Sequence, residues 1–343
     1  MELYEIITAS LKLGGADVYI VPGSPIMMRC KGRFQPMSEY KLTDRDTEII
    51  LREIYGMNEN RSLDDLLYSG DDEFSFVINN LGRFRCSAYR QRGSLAALLR
   101  IVDCGLPDPK QLNIPDEVIK LVDVPKGLIF VTGPANSGKT TTLACMLDRI
   151  NETRSGHIVT IEDPIEYIHP HKGCIVTQRE VRTDTGSFVD AVKTAMRQGA
   201  DAILMSTLPD GATLQKAINA AEMGSVVMVE GYTYGLSKLV NSLVESIVES
   251  HKSLLRNWLA LVLSAVVEQK LLPTLDGEVT PVFNVVRVTD EIRRIIREGG
   301  DLSAYDGGMD ERIYQLWKSG RISREAAIMH ASDSAYMTSR TKI

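Results

Sequence analysis

The sequence predicts an α/β protein with a mainly parallel sheet at its core, a smaller α+β region before the core and helices after it. Three observations lead to this prediction. From residue 124 onward, near-continuous apolar segments alternate with helical ones, as in parallel sheets that are covered on both faces. A glycine-rich loop joins the first of these apolar segments to a helix. The first hundred residues instead carry short strand patterns separated by turns.

Residues 1–105 are predicted to form the smaller α+β domain. A helix is expected near 3–13 and another over 44–55, where Thr43 precedes the first turn as its cap. Strand patterns follow one another with turn residues between them, and the last three suggest an antiparallel sheet. The predicted strands cover 17–21, 26–30, 74–78, 83–91 and 95–102.

A proline-rich stretch over 106–115 breaks this pattern and predicts a linker, which we place at 106–123. The apolar run Trp258–Val267 is too short to span a bilayer and is expected to be a buried helix. The core is predicted over 124–288, with strands at 127–133, 157–163, 202–206 and 225–231 and a helix at 213–223 that ends at Gly224. Residues 289–343 are predicted to be helical, with helices at 309–318 and 323–331.

Composition narrows the class of protein. The 343 residues are 44% hydrophobic and 24% charged, as in an ordinary globular protein with a sizeable core. The net charge of -6 gives no reason to expect nucleic-acid binding. The N-terminus lacks the basic and apolar regions of a signal peptide, and the five scattered cysteines suit a reducing compartment. We expect a cytoplasmic protein without direct membrane insertion.

The strongest motif is GPANSGKTT, which fits the phosphate-binding pattern G-x-x-x-x-G-K-[ST] between an apolar strand and a helix. Lys139 is expected to reach the β- and γ-phosphates of a nucleotide, and the Thr140 hydroxyl is expected to bind Mg²⁺. The alternative, a chance match in a glycine-rich turn, leaves the flanking strand and helix unexplained. The predicted phosphate-binding residues are Gly133, Pro134, Ala135, Asn136, Ser137, Gly138, Lys139, Thr140 and Thr141.

An acidic cluster follows in VTIEDPIEY, which carries Glu162, Asp163 and Glu166 at the end of the second core strand. Carboxylates beside a phosphate-binding loop can orient an attacking water or hold Mg²⁺ through waters. The alternative is a solvated acidic turn begun by the Asp-Pro pair. Two histidines nearby, His169 and His171, could share a metal only if their loop folds back, and a surface turn is expected for them.

These motifs resemble the type IV pilus retraction ATPases of twitching motility, the PilT and PilU family, within the secretion-ATPase branch of P-loop proteins. The resemblance covers nearly the whole chain. Two of its segments are specific to that branch: TIEDPIE close behind the P-loop, and a helix with the pattern IRxxIREG. The segments that carry it are GGADVYIVPGSPIMMRCKG, RFRCSAYRQ, DVPKGLIFVTGPANSGKTTTLACMLDRIN, HIVTIEDPIEYIH, VTQREVRTDT, AINAAEMGS and EIRRIIREG.

The resemblance implies a PAS-like N-terminal domain, a RecA-like core and a helical C-terminal part. It also implies a ring of six subunits with ATP and Mg²⁺ between them, either a homo-hexamer or a ring mixed with a paralogue. Such a ring would act on an inner-membrane pilus platform protein. Glu166 matches the family's catalytic glutamate, and Arg85 and Arg100 match arginines that stabilise phosphate charge. The alternative for the two arginines is an ordinary surface pair.

The chain departs from the family pattern at several positions. The Walker B box reads ILMSTLPD, so Thr207 stands where the family has a glutamate and Pro209 where it has an arginine. The family's box histidines fall on Ser225 and Tyr232, and Asn136 replaces a small P-loop glycine. Removing one group that stabilises transition-state charge costs on the order of 10²–10³ in rate, or about 3–4 kcal/mol. We therefore expect weakened hydrolysis with retained ATP binding.

Two questions stay open from the sequence. The chain is either a weakened motor in which Glu166 is the catalytic glutamate, or a nucleotide-binding accessory subunit that accompanies an active paralogue.

The second question is whether another acid replaces the one lost at Thr207. An acid before the third strand is kept as Asp201, and Glu230 ends the fourth strand. Glu230 could take over the lost acidic role, but the preferred interpretation is an exposed strand end, because a second acid beside phosphates repels them unless Mg²⁺ intervenes.

Overall fold

This computed structural model describes residues 3–13, 17–30, 33–58, 61–78, 81–102 and 105–342. The chain divides into two compact units. The first comprises Met1–Gly105 together with the short segment Pro164–Ile168, and the second comprises Leu106–Asp163 and His169–Ile343.

The first unit contains an antiparallel sheet with the strand order β3-β2-β1-β6-β5-β4, and its three helices share one apolar core with the sheet. The predicted helices, strands and antiparallel pairing of this region are confirmed. The elements are α1 (Leu3–Lys12), β1 (Asp17–Ile20), β2 (Met27–Cys30), β3 (Arg33–Pro36), α2 (Asp44–Gly56), α3 (Leu63–Ser69), β4 (Asp71–Ile78), β5 (Gly82–Gln91) and β6 (Ser94–Val102).

Helix α2 begins where the sequence predicts, at a complete capping box. The Thr43 hydroxyl accepts a hydrogen bond from the Asp46 amide, and the Asp46 carboxylate accepts one from the Thr43 amide at 2.7 Å. Two backbone donors that a helix start leaves unsatisfied are thereby paired.

The second unit is built on a sheet with the strand order β13-β12-β7-β11-β10-β8-β9, parallel except for the β12–β13 pair. The four predicted core strands are confirmed. The strands are β7 (Gly127–Thr132), β8 (Gly156–Glu162), β9 (Cys174–Glu180), β10 (Ala202–Met205), β11 (Val226–Gly231), β12 (Leu263–Pro273) and β13 (Val279–Arg287). The helices are α4 (Asp116–Ile119), α5 (Lys139–Thr153), α6 (Phe188–Arg197), α7 (Gly211–Met223), α8 (Gly235–Glu245), α9 (Lys252–Val262), α10 (Asp290–Glu298), α11 (Gly308–Lys318), α12 (Arg324–His330) and α13 (Ser334–Arg340).

Helices cover both faces of this sheet, and strand β7 shows the division. Leu128 and Phe130 belong to the apolar cluster formed with α6 to α10, whereas Ile129 and Val131 belong to the cluster formed with α5. Successive side chains of a strand point to opposite faces, so a strand buried on both sides is apolar throughout. The phosphate-binding helix α5 therefore packs on the Val131 face.

One predicted element is wrong. The run Trp258–Val267 is not a single buried helix: α9 ends at Val262, and β12 begins at Leu263. Val266 and Val267 pair in parallel with Phe130 and Val131 of β7. A buried strand and a buried helix are both continuous apolar runs, so periodicity does not separate them, while β-branched residues favour the strand.

The C-terminal region is helical, as predicted. Helices α11 to α13 form a separate small core with residues of β12 and β13, centred on Met309 and Ile313. Within the described ranges, every helix is too short or too polar to cross a membrane.

Candidate functional site

The GPANSGKTT motif forms a tight loop between the end of β7 and the start of α5. Gly133 has φ 145° and Gly138 has φ 82°, values that side chains disfavour. A Cβ atom on Gly133 would lie 2.1 Å from the Gln269 carbonyl oxygen, so the loop packs too closely on β12 to accept any larger residue there. The loop thus turns back over the N-terminus of the 15-residue helix α5, where the helix dipole favours anions.

Asn136, which the family resemblance places at a glycine position, fits the loop conformation. Its φ is 60°, in the left-handed region. Asparagine is among the few residues with a side chain that adopt this region at small cost. The substitution is therefore compatible with the backbone that the loop needs.

Lys139 is enclosed at the first turn of α5, with a relative exposure of 3%. Its Nζ donates to the Pro134 carbonyl oxygen at 2.6 Å and lies 3.5 Å from the Glu230 carboxylate. The same ammonium lies 4.6 Å from the ring centroid of Tyr232, close enough for a cation–π interaction. The charge of Lys139 is thus held in a defined position over the loop.

Glu230 is part of this site, and its expected role as an exposed strand end is wrong. Its relative exposure is 7%, and the Thr140 hydroxyl donates to its carboxylate at 3.1 Å. The reason is strand order. Strand β11 pairs directly with β7, so Glu230 lies opposite Val131 and faces α5 rather than solvent.

Gln269 lies on β12, the other neighbour of β7, and forms hydrogen bonds to the loop and to α5. Its side-chain amide donates to the Ser137 carbonyl oxygen at 2.8 Å and its oxygen accepts from the Thr142 hydroxyl at 2.8 Å. Gln269 is not among the residues predicted from the sequence, because the run Trp258–Val267 predicts a helix where β12 begins. The signal in the sequence is the polar pair Glu268-Gln269 directly after the apolar run Trp258–Val267.

Two further features of the loop fit a phosphate ligand. The buried Ser137 hydroxyl has no hydrogen-bond partner among the described residues, which is costly unless a ligand supplies one. Beside the loop lies a cavity of about 550 Å³, a size typical of small-molecule sites. Its lining includes Tyr234, Lys238 and Lys270, so two ammonium groups face the same space.

Strand order also separates from the loop several positions that are predicted to depart from the family pattern. Thr207 and Pro209 follow β10, which β11 separates from β7. Asp201 and Ser225 lie at the opposite, amino ends of their strands. There, Asp201 accepts a hydrogen bond from the His157 amide at 2.8 Å and Ser225 donates to the Ala200 carbonyl oxygen at 2.7 Å. Asp201 and Ser225 therefore stabilise the sheet and lie away from the phosphate-binding edge.

The predicted arginines belong to the first unit, in a row of cross-strand neighbours. Arg85 pairs with Arg100 across β5 and β6, and Arg100 pairs with Asp17 across β6 and β1. The Asp17 carboxylate accepts from Arg100 Nε at 2.8 Å and from Arg29 Nε at 3.0 Å, while Arg85 donates to Glu73 at 2.7 Å. We call these five residues the arginine row.

Asp17 is the centre of the arginine row. Burial alone would raise the pKa of Asp17, but the hydrogen bonds from Arg100 and Arg29 outweigh burial and hold its pKa below the ordinary value. The bond to Asp17 raises the pKa of Arg100, and the nearby charge of Glu166 contributes to the same shift. Both carboxylates therefore stabilise the charge of Arg100. Sequence reasoning did not single out Asp17 or Arg29.

The acidic cluster of VTIEDPIEY is divided between the units. Glu166 lies in the segment Pro164–Ile168 of the first unit, with Arg85 and Arg100. Glu162 is buried in the second unit and accepts from the side-chain amide of Gln178 at 3.3 Å, while Asp163 pairs with Arg182 at 3.1 Å. The structure thus groups Glu166 with the predicted arginines in one unit and the P-loop residues in the other.

His169 does not sit at a surface turn as expected. It is buried, burial lowers its pKa to about 4, and its Nδ1 has no hydrogen-bond partner within the described chain. His171 is exposed, and its Nδ1 accepts from the Val176 amide at 3.0 Å. In the part of the chain that the structure describes, no group of three His, Cys, Asp or Glu side chains is arranged to hold a metal ion.

Comparisons with known proteins show which family the chain resembles. A family model for "Type II/IV secretion system protein" matches residues 94–341. The chain is 32% identical to the "Type IV pilus retractation ATPase PilT" of Pseudomonas aeruginosa PAO1, over 95% of this chain and 97% of that protein. It is 33% identical to the "Type IV pilus ATPase PilU" of the same strain, over 98% and 90% respectively. A crystal structure of the pilus retraction motor PilT with bound ADP superposes with a TM-score of 0.91 at 35% identity, covering 98% of both chains.

Proposed function

The chain belongs to the Type II/IV secretion system protein family and is a PilT/PilU-like secretion ATPase, and from this premise we propose that it is a pilus-motor subunit that binds Mg–ATP and hydrolyses it slowly. The predicted fold class is confirmed: a RecA-like core with an N-terminal domain and a helical C-terminal part. The family implies that the chain uses a nucleotide. Binding of ATP with Mg²⁺, assembly and slow turnover are the proposal.

The observation that carries the proposal is the intact phosphate-binding loop. Lys139 is buried and positioned, Asn136 keeps the left-handed turn, and Ser137 offers a buried hydroxyl without a protein partner among the described residues. Leaving the buried Ser137 hydroxyl unsatisfied costs free energy in the absence of a ligand. A site that no longer bound nucleotide would gain stability from losing that hydroxyl.

The oxygen atoms at the start of α5 fit Mg²⁺. Thr140 and Glu230 offer a hydroxyl and a carboxylate within 3.1 Å of each other, and Mg²⁺ prefers such oxygen ligands together with phosphates. When bound, Mg²⁺ would neutralise part of the phosphate charge. Lys139 would neutralise another part through its own hydrogen bonds to phosphate oxygens.

Hydrolysis is proposed to be slow because groups that stabilise developing charge are replaced. Thr207 and Pro209 carry no charge, and Tyr232 stands where a histidine is expected in relatives. Glu166 is proposed to activate the attacking water, and Arg85 and Arg100 to stabilise phosphoryl charge. The Arg100 side chain is 51% exposed and the bond from its Nε to Asp17 uses one of its five N–H donors, so the guanidinium keeps donors for a phosphate.

We propose a cytoplasmic hexameric ring, formed by this chain alone or with a paralogue, that acts on an inner-membrane pilus platform protein. The competing function is a non-hydrolysing subunit that accompanies an active motor. The relatives favour neither, because PilT and PilU of one strain are 32% and 33% identical to this chain. The absence of charged side chains at Thr207 and Pro209 favours the accessory function.

The nucleotide assignment is tested by titrating a fluorescent ATP analogue in Mg²⁺ against wild type and Lys139→Ala. Wild type is expected to bind in the micromolar range. Lys139→Ala is expected to bind about 10- to 100-fold more weakly, the loss of a charge-assisted hydrogen bond to phosphate. Lys193→Ala, which removes the same charge from the exposed face of α6, is the matched control. Equal affinities of wild type and Lys139→Ala would refute the assignment.

A further inference from the structure

We propose that Glu230 has taken over the acidic Mg²⁺-binding role that Thr207 no longer provides, so that the chain's metal-binding acid lies on β11 instead of after β10. This inference rests on the proposed nucleotide-binding function and deepens it. It assigns a role to a residue that neither the motif pattern nor the relatives' names single out.

Strand placement brings Glu230 closer to the phosphate-binding loop than position 207. Strand β11 pairs with β7 in the register Glu230↔Val131, one residue before the last residue of β7. Neighbouring strands lie about 4.8 Å apart, and β10 is one strand farther from the loop than β11. An acid on β11 can therefore reach the first turn of α5 directly.

Side-chain direction supports the same role. Val131 faces the apolar cluster that contains α5, and Glu230 lies directly opposite Val131 on the neighbouring strand. Cross-strand partners share a face of the sheet, so the carboxylate points toward α5. The 3.1 Å hydrogen bond from the Thr140 hydroxyl to the Glu230 carboxylate agrees with this direction.

Other buried acids are placed less well for this role. Glu162 ends β8, which β10 and β11 separate from β7, and its carboxylate accepts from Gln178. Glu268 lies on β12, the other neighbour of β7, but its partner in register is Thr132, whose side chain points away from the face covered by α5. Of the three buried acids compared within the described ranges, Glu230 is thus the one that lies beside the P-loop strand and on the α5 face.

The charge balance predicts how the site behaves without metal. The Glu230 carboxylate lies 3.5 Å from the Lys139 ammonium and offsets the charge that should attract phosphate. A metal-free nucleotide therefore meets a carboxylate that repels it. With Mg²⁺ between them, the same carboxylate becomes a ligand, so nucleotide affinity should depend strongly on the metal.

The test is the affinity for a fluorescent ADP analogue, measured by equilibrium titration with excess Mg²⁺ and with EDTA. Wild type is expected to bind at least about tenfold tighter with Mg²⁺, the size of one charge-assisted interaction. Glu230→Gln keeps an oxygen for the Thr140 hydroxyl and loses the charge. It should bind within about threefold in the two conditions, with metal-free affinity above that of wild type.

Two variants control the comparison. Glu268→Gln removes a buried carboxyl from the other neighbour of β7 and should keep the full Mg²⁺ effect, whereas Glu162→Gln should reduce it little. Should Glu230→Gln fail to fold, Glu230→Ala removes the same charge and the same loss of Mg²⁺ dependence is expected. If Glu230→Gln retains the wild-type Mg²⁺ effect, or if Glu162→Gln abolishes it instead, the inference is overturned. Unchanged binding by Lys139→Ala would overturn the nucleotide site itself, so the two failures are distinguishable.

Discussion

The arginine row of the first unit and the Lys139 site of the second, which consists of Lys139 and Glu230, both pair basic side chains with a carboxylate. They differ in which of the partners are buried. In the arginine row the acid is buried and its partners are exposed: the Asp17 side chain is 2% exposed, and those of Arg29 and Arg100 are 40% and 51%. In the second unit both partners are enclosed, with the Lys139 and Glu230 side chains 2% and 9% exposed.

The difference separates two kinds of group that we propose to bind phosphate. Exposed guanidinium groups anchored by one buried carboxylate keep N–H donors directed outward, so they can meet a charge that arrives from outside their unit. The enclosed lysine contacts Pro134 of the loop and Glu230 of β11, so a phosphate ligand would compete with Glu230 or join it through a metal. The two sites should therefore also respond differently to acid and to loss of a partner.

The largest expected effect concerns acid sensitivity of the second unit. His169 is buried and neutral, with a pKa lowered from 6.5 to about 4. A base with a lowered folded-state pKa contributes stability above its unfolded pKa and loses it as the pH falls. Between pH 6.5 and 4, wild type should lose about 3 kcal/mol of unfolding free energy through this residue. His169→Leu should remove most of that loss, measured by urea unfolding at several pH values.

The control for this experiment is His251→Gln, which removes an exposed histidine and should leave the pH dependence unchanged. A pH dependence of His169→Leu equal to that of wild type between pH 6.5 and 4 would show that His169 is not the group that titrates.

A smaller effect is expected from the acid at the centre of the arginine row. Asp17→Asn should lower the unfolding free energy by about 2 kcal/mol at pH 7, below the range for fully buried pairs because its arginine partners are half-exposed. The pKa of Asp17 is lowered, so its contribution is present above the ordinary value of 3.8 and is lost as the pH falls further. The difference between variant and wild type should shrink below that pH.

Glu48→Gln is the matched control, since it breaks the exposed pair with Arg52 on α2 and should cost less than about 0.5 kcal/mol. If Asp17→Asn costs no more unfolding free energy than Glu48→Gln, the burial of Asp17 does not strengthen the ion pairs of the arginine row. The proposed difference between the two units would then be wrong.

Local sequence signals were sufficient for much of the fold. The strand, glycine loop and helix around Lys139 could be predicted because each follows from neighbouring residues, and so could the capping box at Thr43. The start of β12 could not be, because the periodicity of an apolar run such as Trp258–Val267 does not separate a buried helix from a buried strand.

The partners within the sites depend on non-local pairing, which the sequence does not display. Glu230 meets Thr140 only because β11 inserts beside β7, and Arg100 meets Asp17 across 83 residues of chain. Arg85, Arg100 and Glu166 were predicted only through a family resemblance, and their roles remain predictions. The burial of His169 likewise had no sequence signal, because IHPHKG is typical of a surface turn.

The central claim, retained nucleotide binding with weakened turnover, is tested most directly by measuring phosphate release at saturating Mg–ATP. This chain, its Glu166→Gln variant and PilT of Pseudomonas aeruginosa would be compared in one assay, with nucleotide binding measured on the same samples. We expect saturable binding by this chain and phosphate release at least about 100-fold slower than by PilT, with Glu166→Gln removing the remaining activity. Release as fast as that of PilT would show that turnover is not weakened.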